Sequence, residues 1–172
     1  MIYRFLRSNS IGRSMLGAGL VAAACAPAVA AQSDTGYAGS LREVYGAYQA
    51  VLARRDACTS AFPLARGASE TAYTAWHGRN KKLVAELDQR FAMMIRGASR
   101  NESEYTRNVG RYEGAILKQR EEVKQELLQT PLADLEALCS GLPGFLQSAD
   151  SDLEKAYAEE LTIVRKRPLA TR

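Results

Sequence analysis

Residues 71–96 (TAYTAWHGRNKKLVAELDQRFAMMIR) and residues 101–127 (NESEYTRNVGRYEGAILKQREEVKQEL) decide the fold of this chain. In both stretches apolar residues recur every three or four positions, which is the period of an α-helix with one buried face. Because only a few residues separate the two stretches, the second helix must turn back along the first. The pattern therefore predicts an antiparallel helical hairpin.

Capping residues mark the expected ends of these two helices. Ser69 is the predicted N-cap of the first helix, which runs to about Gly97. Asn101, followed three positions later by Glu104, predicts a capping box at the start of the second helix, which runs to about Gln129.

The hairpin also predicts a register. If the chain turns between Ser99 and Arg100, the apolar positions of one helix face those of the other, as in a coiled coil. The expected facing pairs are Met94 with Tyr105, Leu87 with Tyr112, Leu83 with Ile116 and Trp76 with Val123. The same register sets Asn80 opposite Gln119, and these two amides are predicted either to hydrogen-bond across the seam or to contact a ligand.

The rest of the chain has the same helical period, and no stretch has the alternation typical of a strand. The further expected elements are a helix from about Tyr37 to Cys58, a loop over residues 61–68, a short helix after Pro131 and a last helix from about Pro143 to Arg167. The predicted fold class is all-α: an antiparallel up-down bundle of about four long helices plus one short helix. Residues 31–172 are expected to form one domain.

The first 30 residues resemble a secretory signal peptide. Arg4, Arg7 and Arg13 precede an apolar run from Met15 to Ala24, and small residues follow at 28–30. The run is too short to anchor the chain across a bilayer. We expect cleavage after residue 30 and a periplasmic or secreted protein.

Cys25 supports an alternative processing route. The stretch LVAAAC, residues 20–25, resembles a lipoprotein cleavage box, although Ala22 stands where such boxes usually carry Leu or Val. Lipidation of Cys25 would anchor the same domain in the cell envelope through its acyl chains. A membrane is an expected partner only in that case.

Net charge argues against nucleic acid as a partner. The chain carries a formal charge of +4, but three of its 23 Lys and Arg residues and none of its 19 Asp and Glu residues lie in the predicted signal peptide. The remainder is therefore close to neutral. A nucleic-acid-binding domain is expected to be clearly basic.

Cys58 and Cys139 are the two cysteines that remain after the predicted cleavage. In an oxidising compartment such a pair predicts a structural disulfide, and the up-down topology places both at one end of the bundle. The alternatives are two buried free thiols or one reactive cysteine.

No catalytic, metal or cofactor motif stands out. His77 is the one histidine, so a metal site or a catalytic triad would depend on it alone. There is no Glu-x-x-His pair, haem-attachment motif or nucleophile elbow. We therefore expect no metal and no cofactor.

The sequence leaves three functions open. The leading hypothesis is an exported, non-enzymatic protein that binds another envelope macromolecule, either a protein or a polymer. The second is a small-ligand binder with a groove lined by tyrosines, for which Tyr45, Tyr48 and Tyr112 are the candidate contacts. The third is a hydrolase that uses carboxylates from pairs such as Glu121 and Glu122.

Overall fold

The computed structural model describes residues 29–169, with side chains described from Gly36 onward, and every regular element in this range is helical. The elements are α1 (Val29–Ala61), a 3-10 turn (Pro63–Ala65), α2 (Arg66–Gly97), α3 (Glu102–Leu128), α4 (Leu132–Ser140), α5 (Leu142–Gln147), a second 3-10 turn (Ala149–Ser151), α6 (Leu153–Ala156) and α7 (Ala158–Arg165). The predicted all-α class is confirmed. The predicted signal peptide, with Cys25, lies outside the described residues except for its last two positions, which begin α1.

Helix α1 packs against α2, α3 and α7. Arg55 near the C-terminal end of α1 meets Glu70 near the start of α2, so these two helices are antiparallel. Asp56 binds Arg120 in the second half of α3, so α3 runs parallel to α1. The long helices therefore pack side by side as a helical bundle.

The core is built by α1, α2 and the segment after α4. Its largest fully buried side chains are Leu41 and Val44 of α1, Trp76 and Leu87 of α2, and Leu142, Leu146, Leu161 and Val164 of the last segment. Ala53 and Ala57 are also fully buried, and their small side chains let neighbouring elements approach α1 closely. Apolar burial among these three parts therefore stabilises the bundle.

The predicted seam along the whole length of α2 and α3 is wrong. No side chain of α3 is buried, and the two helices meet mainly near their turn, where Arg96 contacts Glu102 and Asn108 contacts Ser99. The inner face of α2 is instead covered by α1 and by the segment after α4. Leu142 and Leu146 of that segment are fully buried, whereas every apolar side chain of α3 stays at least partly exposed.

The predicted amide pair of Asn80 and Gln119 is not formed. Asn80 is buried and donates through Nδ2 to the carbonyl oxygen of Trp76, 3.0 Å away in its own helix. Gln119 lies exposed on α3. The two amides do not meet because α2 and α3 contact each other mainly near their turn, and Asn80 and Gln119 lie well away from it along the two helices.

The predicted last long helix is also wrong, because the chain breaks it into α5, a 3-10 turn, α6 and α7. Ser148 adopts an extended backbone, and Asp152 caps α6 by accepting from the N–H groups of Glu154 and Lys155. Trp76 holds the break in place by donating through Nε1 to the carbonyl oxygen of Ser151 at 2.8 Å. Local capping and a tertiary hydrogen bond thus outweigh helix continuity.

Of the two predicted N-caps, one is confirmed and one is wrong. Asn101 caps α3 by accepting from the N–H of Glu104 at 2.9 Å, as expected, although the Glu104 carboxylate binds the N–H of Arg100 rather than that of Asn101. Ser69 is not an N-cap: it lies buried inside α2, which begins at Arg66. The expected loop over residues 61–68 is correspondingly shorter.

Candidate functional site

The predicted disulfide is confirmed. Cys58 in the last turns of α1 and Cys139 in α4 are bonded, with their Cα atoms 5.3 Å apart. Both residues are buried in the core. The bond ties the C-terminal end of α1 to the segment that follows α3, at the end of the bundle where short connections meet.

A groove lies beside this bond. Residues 61–65 form one wall, and Glu136, Cys139 and Ser140 of α4 form the other. Its volume is about 390 Å³, and apolar groups form most of its surface. We call it the disulfide-end groove.

Two exposed leucines belong to the elements that form the walls of the disulfide-end groove. Leu64, which lines the groove, is fully exposed, and Leu132 at the start of α4 is 70 % exposed. Leu132 precedes the groove residue Glu136 by four positions, so helical spacing sets both on the same face of α4. Exposed apolar side chains at and near an apolar groove are typical of a surface that another molecule covers.

The three candidate tyrosines do not share one site. Tyr45 and Tyr112 line a groove of about 240 Å³ between α1, α2 and α3. Tyr48 instead lies against Trp76, with ring centroids 6.1 Å apart. Burial raises the pKa of Tyr48, and that of Tyr45 to about 12 with a further contribution from Asp88, so both phenols stay neutral at ordinary pH.

Asn80 lines a different cavity, which sequence reasoning missed. Trp76, Arg79, Asn80 and Leu83 of α2 form one wall, and residues between Gln147 and Lys155 form the other. The volume is about 430 Å³, and the surface is mostly polar. We call it the Asn80 cleft. Its second wall exists only because the last helix is broken, which periodicity did not indicate.

Several carboxylates are engaged by arginines rather than held as proton donors. Burial opposes the charge of Asp56, but hydrogen bonds from Arg120 and Arg55 outweigh it and lower the pKa of Asp56. Burial of Glu86 is likewise outweighed by Arg165 and Arg90, and its pKa is lowered. A carboxylic general acid needs the opposite shift.

Among the carboxylates named with the hydrolase hypothesis, Glu121 is exposed on α3. Hydrogen bonds from Gln125 and Lys124 lower its pKa. A hydrogen bond from Arg96 similarly lowers the pKa of the exposed Glu102. These contacts are those of a solvated helix surface.

His77 lies near the rings of Tyr48 and Tyr73, with centroids 6.5 and 5.8 Å away. Within residues 36–169, no group of three or more His, Cys, Asp or Glu side chains is arranged to hold a metal ion. None of the helices that the structure describes combines the length and the apolar character needed to cross a bilayer.

Comparison with known proteins adds no family assignment: no family model matches the chain, and no significant match is found among curated proteins or solved structures.

Proposed function

We propose that this is an exported, non-enzymatic binding protein of the cell envelope, and that a polypeptide partner docks in the disulfide-end groove. The observation that carries the proposal is a pair of exposed leucines: Leu64, which lines the groove, and Leu132, which lies one helical turn before Glu136 of the opposite wall. Exposing two large apolar side chains beside an apolar cavity has no benefit to the isolated fold. Covering them on binding would remove apolar surface from water.

The charges of α4 narrow the partner's chemistry. Glu136 lines the groove, and Asp134 lies exposed on the same helix. A partner segment that inserts an apolar side chain between Leu64 and Leu132 would gain from a Lys or Arg beside it. We therefore propose a peptide segment with an apolar anchor next to a basic residue, rather than an acidic or purely polar polymer.

The disulfide supports both export and the docking surface. A bond between Cys58 and Cys139 persists in an oxidising compartment and is rare in the cytosol. Because Cys139 also lines the groove, the bond fixes one wall relative to the end of α1. A preformed groove loses less conformational entropy when a partner binds.

Export is tested by cell fractionation combined with intact-mass measurement of the full-length gene product. We expect a periplasmic or secreted species that begins near Ala31 and whose mass is lower by two hydrogen atoms because of the Cys58–Cys139 bond. A mass that places a lipidated Cys25 at the N-terminus would support the envelope-anchored form instead. A full-length species with free thiols in the cytosol would contradict export.

Docking is tested by placing a photo-crosslinking phenylalanine analogue at Leu64 in cells. The matched control places it at Leu117, which is 61 % exposed on α3, away from the groove. We expect the Leu64 position, and not Leu117, to give one cross-linked protein that mass spectrometry identifies. The purified partner should bind the wild type, and its affinity for the Leu132→Asp and Glu136→Lys variants should be at least tenfold lower.

The same experiment distinguishes other occupants. Cross-links to a second copy of this chain, to lipid or to a cell-wall polymer would overturn the proposed polypeptide partner. Equal cross-linking from both positions would show that the groove has no special role. A small ligand bound by tyrosines is the second candidate. The groove of Tyr45 and Tyr112, at 240 Å³, falls below the size of ordinary small-molecule pockets, but Tyr112 also lines a cavity of about 540 Å³ with Tyr37.

A further inference from the structure

The Asn80 cleft shares no lining residue with the disulfide-end groove and takes no part in the proposed docking. Asn80 is only 7 % exposed, and its side chain makes one hydrogen bond within the described range, from Nδ2 to the carbonyl oxygen of Trp76. Its Oδ1 therefore remains an acceptor without a protein donor. This oxygen is not among the fully buried polar atoms that lack a partner, so a donor brought by a ligand or by water can reach it.

Arg79 supplies a positive charge to the same wall. Its guanidinium donates to the carbonyl oxygen of Leu146, and no Asp or Glu side chain within residues 36–169 pairs with it. Two other arginines of α2 do have such partners: Arg90 binds Glu86 and Arg96 binds Glu102. Arg79 is thus available to bind a carboxylate in two-pronged geometry.

Negative charge lies on the opposite wall. Asp152 lines the cleft, and its carboxylate contacts the ammonium of Lys155 at 3.3 Å. That pair is largely exposed and therefore weak, so a ligand cation can replace Lys155 at little cost. Glu154 also lines the cleft, but its carboxylate is bound by Arg165. The cleft therefore presents Arg79 as a cation, and the Asn80 oxygen and the Asp152 carboxylate as acceptors.

We propose that the Asn80 cleft binds a small zwitterion of the amino-acid type. Its carboxylate would pair with Arg79, and its ammonium group would donate to Asn80 Oδ1 and to Asp152. A simple anion would leave these acceptors unused, and a simple amine would leave Arg79 unused. The volume of about 430 Å³ leaves ample room for an amino acid.

Trp76 provides a direct readout, because it is the one tryptophan of the chain and lines the cleft. The fluorescence of the purified protein is titrated with L-glutamine and glycine. Propionate carries only the carboxylate, ethylamine only the ammonium group, and trimethylglycine lacks N–H donors. We expect a saturable change with at least one amino acid and at least tenfold weaker binding of the other three probes.

Variants assign the signal to the cleft. Arg79→Gln should weaken amino-acid binding at least tenfold, whereas the matched control Arg107→Gln, an exposed arginine of α3, should not change it. Asn80→Leu removes the amide from a buried position. Its effect on amino-acid binding is therefore interpreted only if circular dichroism shows a wild-type fold. The proposal is overturned if neither amino acid gives a saturable change at about 10 mM. It is equally overturned if propionate or ethylamine binds with the same affinity as the amino acids, or if Arg79→Gln leaves amino-acid binding unchanged.

Discussion

Arg90 of α2 donates through Nη1 to the carbonyl oxygen of Val164, 2.9 Å away near the C-terminal end of α7. The same nitrogen reaches the carbonyl oxygen of Arg167 at 2.7 Å, and Nε binds the Glu86 carboxylate at 2.9 Å. A buried guanidinium thus satisfies carbonyl groups that the end of a helix leaves without partners. It joins α7 to α2 through the main chain as well as through packing.

Arg90→Ala should destabilise the protein by about 2–4 kcal/mol, because it leaves buried carbonyl groups without their donor and removes one of the two arginines that bind the Glu86 carboxylate. Urea unfolding followed by circular dichroism measures the change. Arg111→Ala, at an exposed position of α3, is the control and should change stability by less than about 0.5 kcal/mol. Equal effects of the two substitutions would show that the contact with α7 contributes little.

Loss of the disulfide should cost about 4 kcal/mol in the chain-entropy account, because Cys58 and Cys139 are 81 residues apart and the bond restricts a long loop in the unfolded chain. The double variant Cys58→Ala/Cys139→Ala is compared with the oxidised wild type by urea unfolding. Reductant should lower the stability of the wild type and leave the double variant unchanged. A wild type insensitive to reductant would contradict the bond's role.

Asp56 should make stability depend on pH in the acid range. Arg120 and Arg55 lower its pKa in the folded protein below the ordinary value of 3.8. The folded state therefore gains from the charged form, and this gain is present above pH 3.8 and lost as pH falls through the lowered pKa.

Asp56→Asn tests this pH dependence, since it removes the titrating group. The variant should be less stable than the wild type at pH 7, and the difference should shrink on acidification to about pH 3. Unfolding free energies measured at both pH values supply the comparison. Glu122→Gln is a control, because this exposed Glu meets only Lys118 at 3.7 Å. A difference between Asp56→Asn and the wild type that persists in acid would contradict the assignment.

Helix α3 should be the least stable of the three long helices. None of its side chains is buried, and Arg120 ties its second half to α1 through Asp56. Segments with few buried apolar contacts open most readily. Native-state hydrogen exchange should show faster exchange in α3 than in α1 or α2, and Asp56→Asn should speed exchange in the second half of α3. Protection in α3 equal to that in α1 would refute this order.

The sequence predicts features that are set by residues close along the chain, such as caps and helix ends. It does not predict which of several segments packs against a given helix face. The cap at Asn101 and the end of α2 at Gly97 follow from local chemistry, and both were located correctly. The apolar face of α2 was also correctly recognised. Periodicity shows that such a face is covered but not by which segment. It therefore predicts that Trp76 faces Val123 of α3, whereas in the structure Trp76 binds the turn at Ser151.

The two candidate sites differ in how far they depend on which segment packs against which helix. The Cys58–Cys139 bond could be inferred from cysteine count and topology, and it led to one end of the bundle. The groove beside it requires the conformation of Leu64, which periodicity does not describe. Asn80 was singled out as an amide within an apolar pattern, yet its cleft depends on the break near Ser148.

Trp76→Phe tests whether that break is held by a tertiary hydrogen bond. Trp76 is fully buried, and its Nε1 donates to the carbonyl oxygen of Ser151 at 2.8 Å. The substitution removes this donor and leaves a cavity, so we expect a loss of about 2–4 kcal/mol in urea unfolding. Leu117→Ala, at an exposed apolar position, should cost less than about 1 kcal/mol. Hydrogen exchange should also increase selectively over residues 148–152, because the segment loses its anchor to α2. If Trp76→Phe lowers stability without that local increase, the break near Ser148 is set by its own capping residues and not by Trp76.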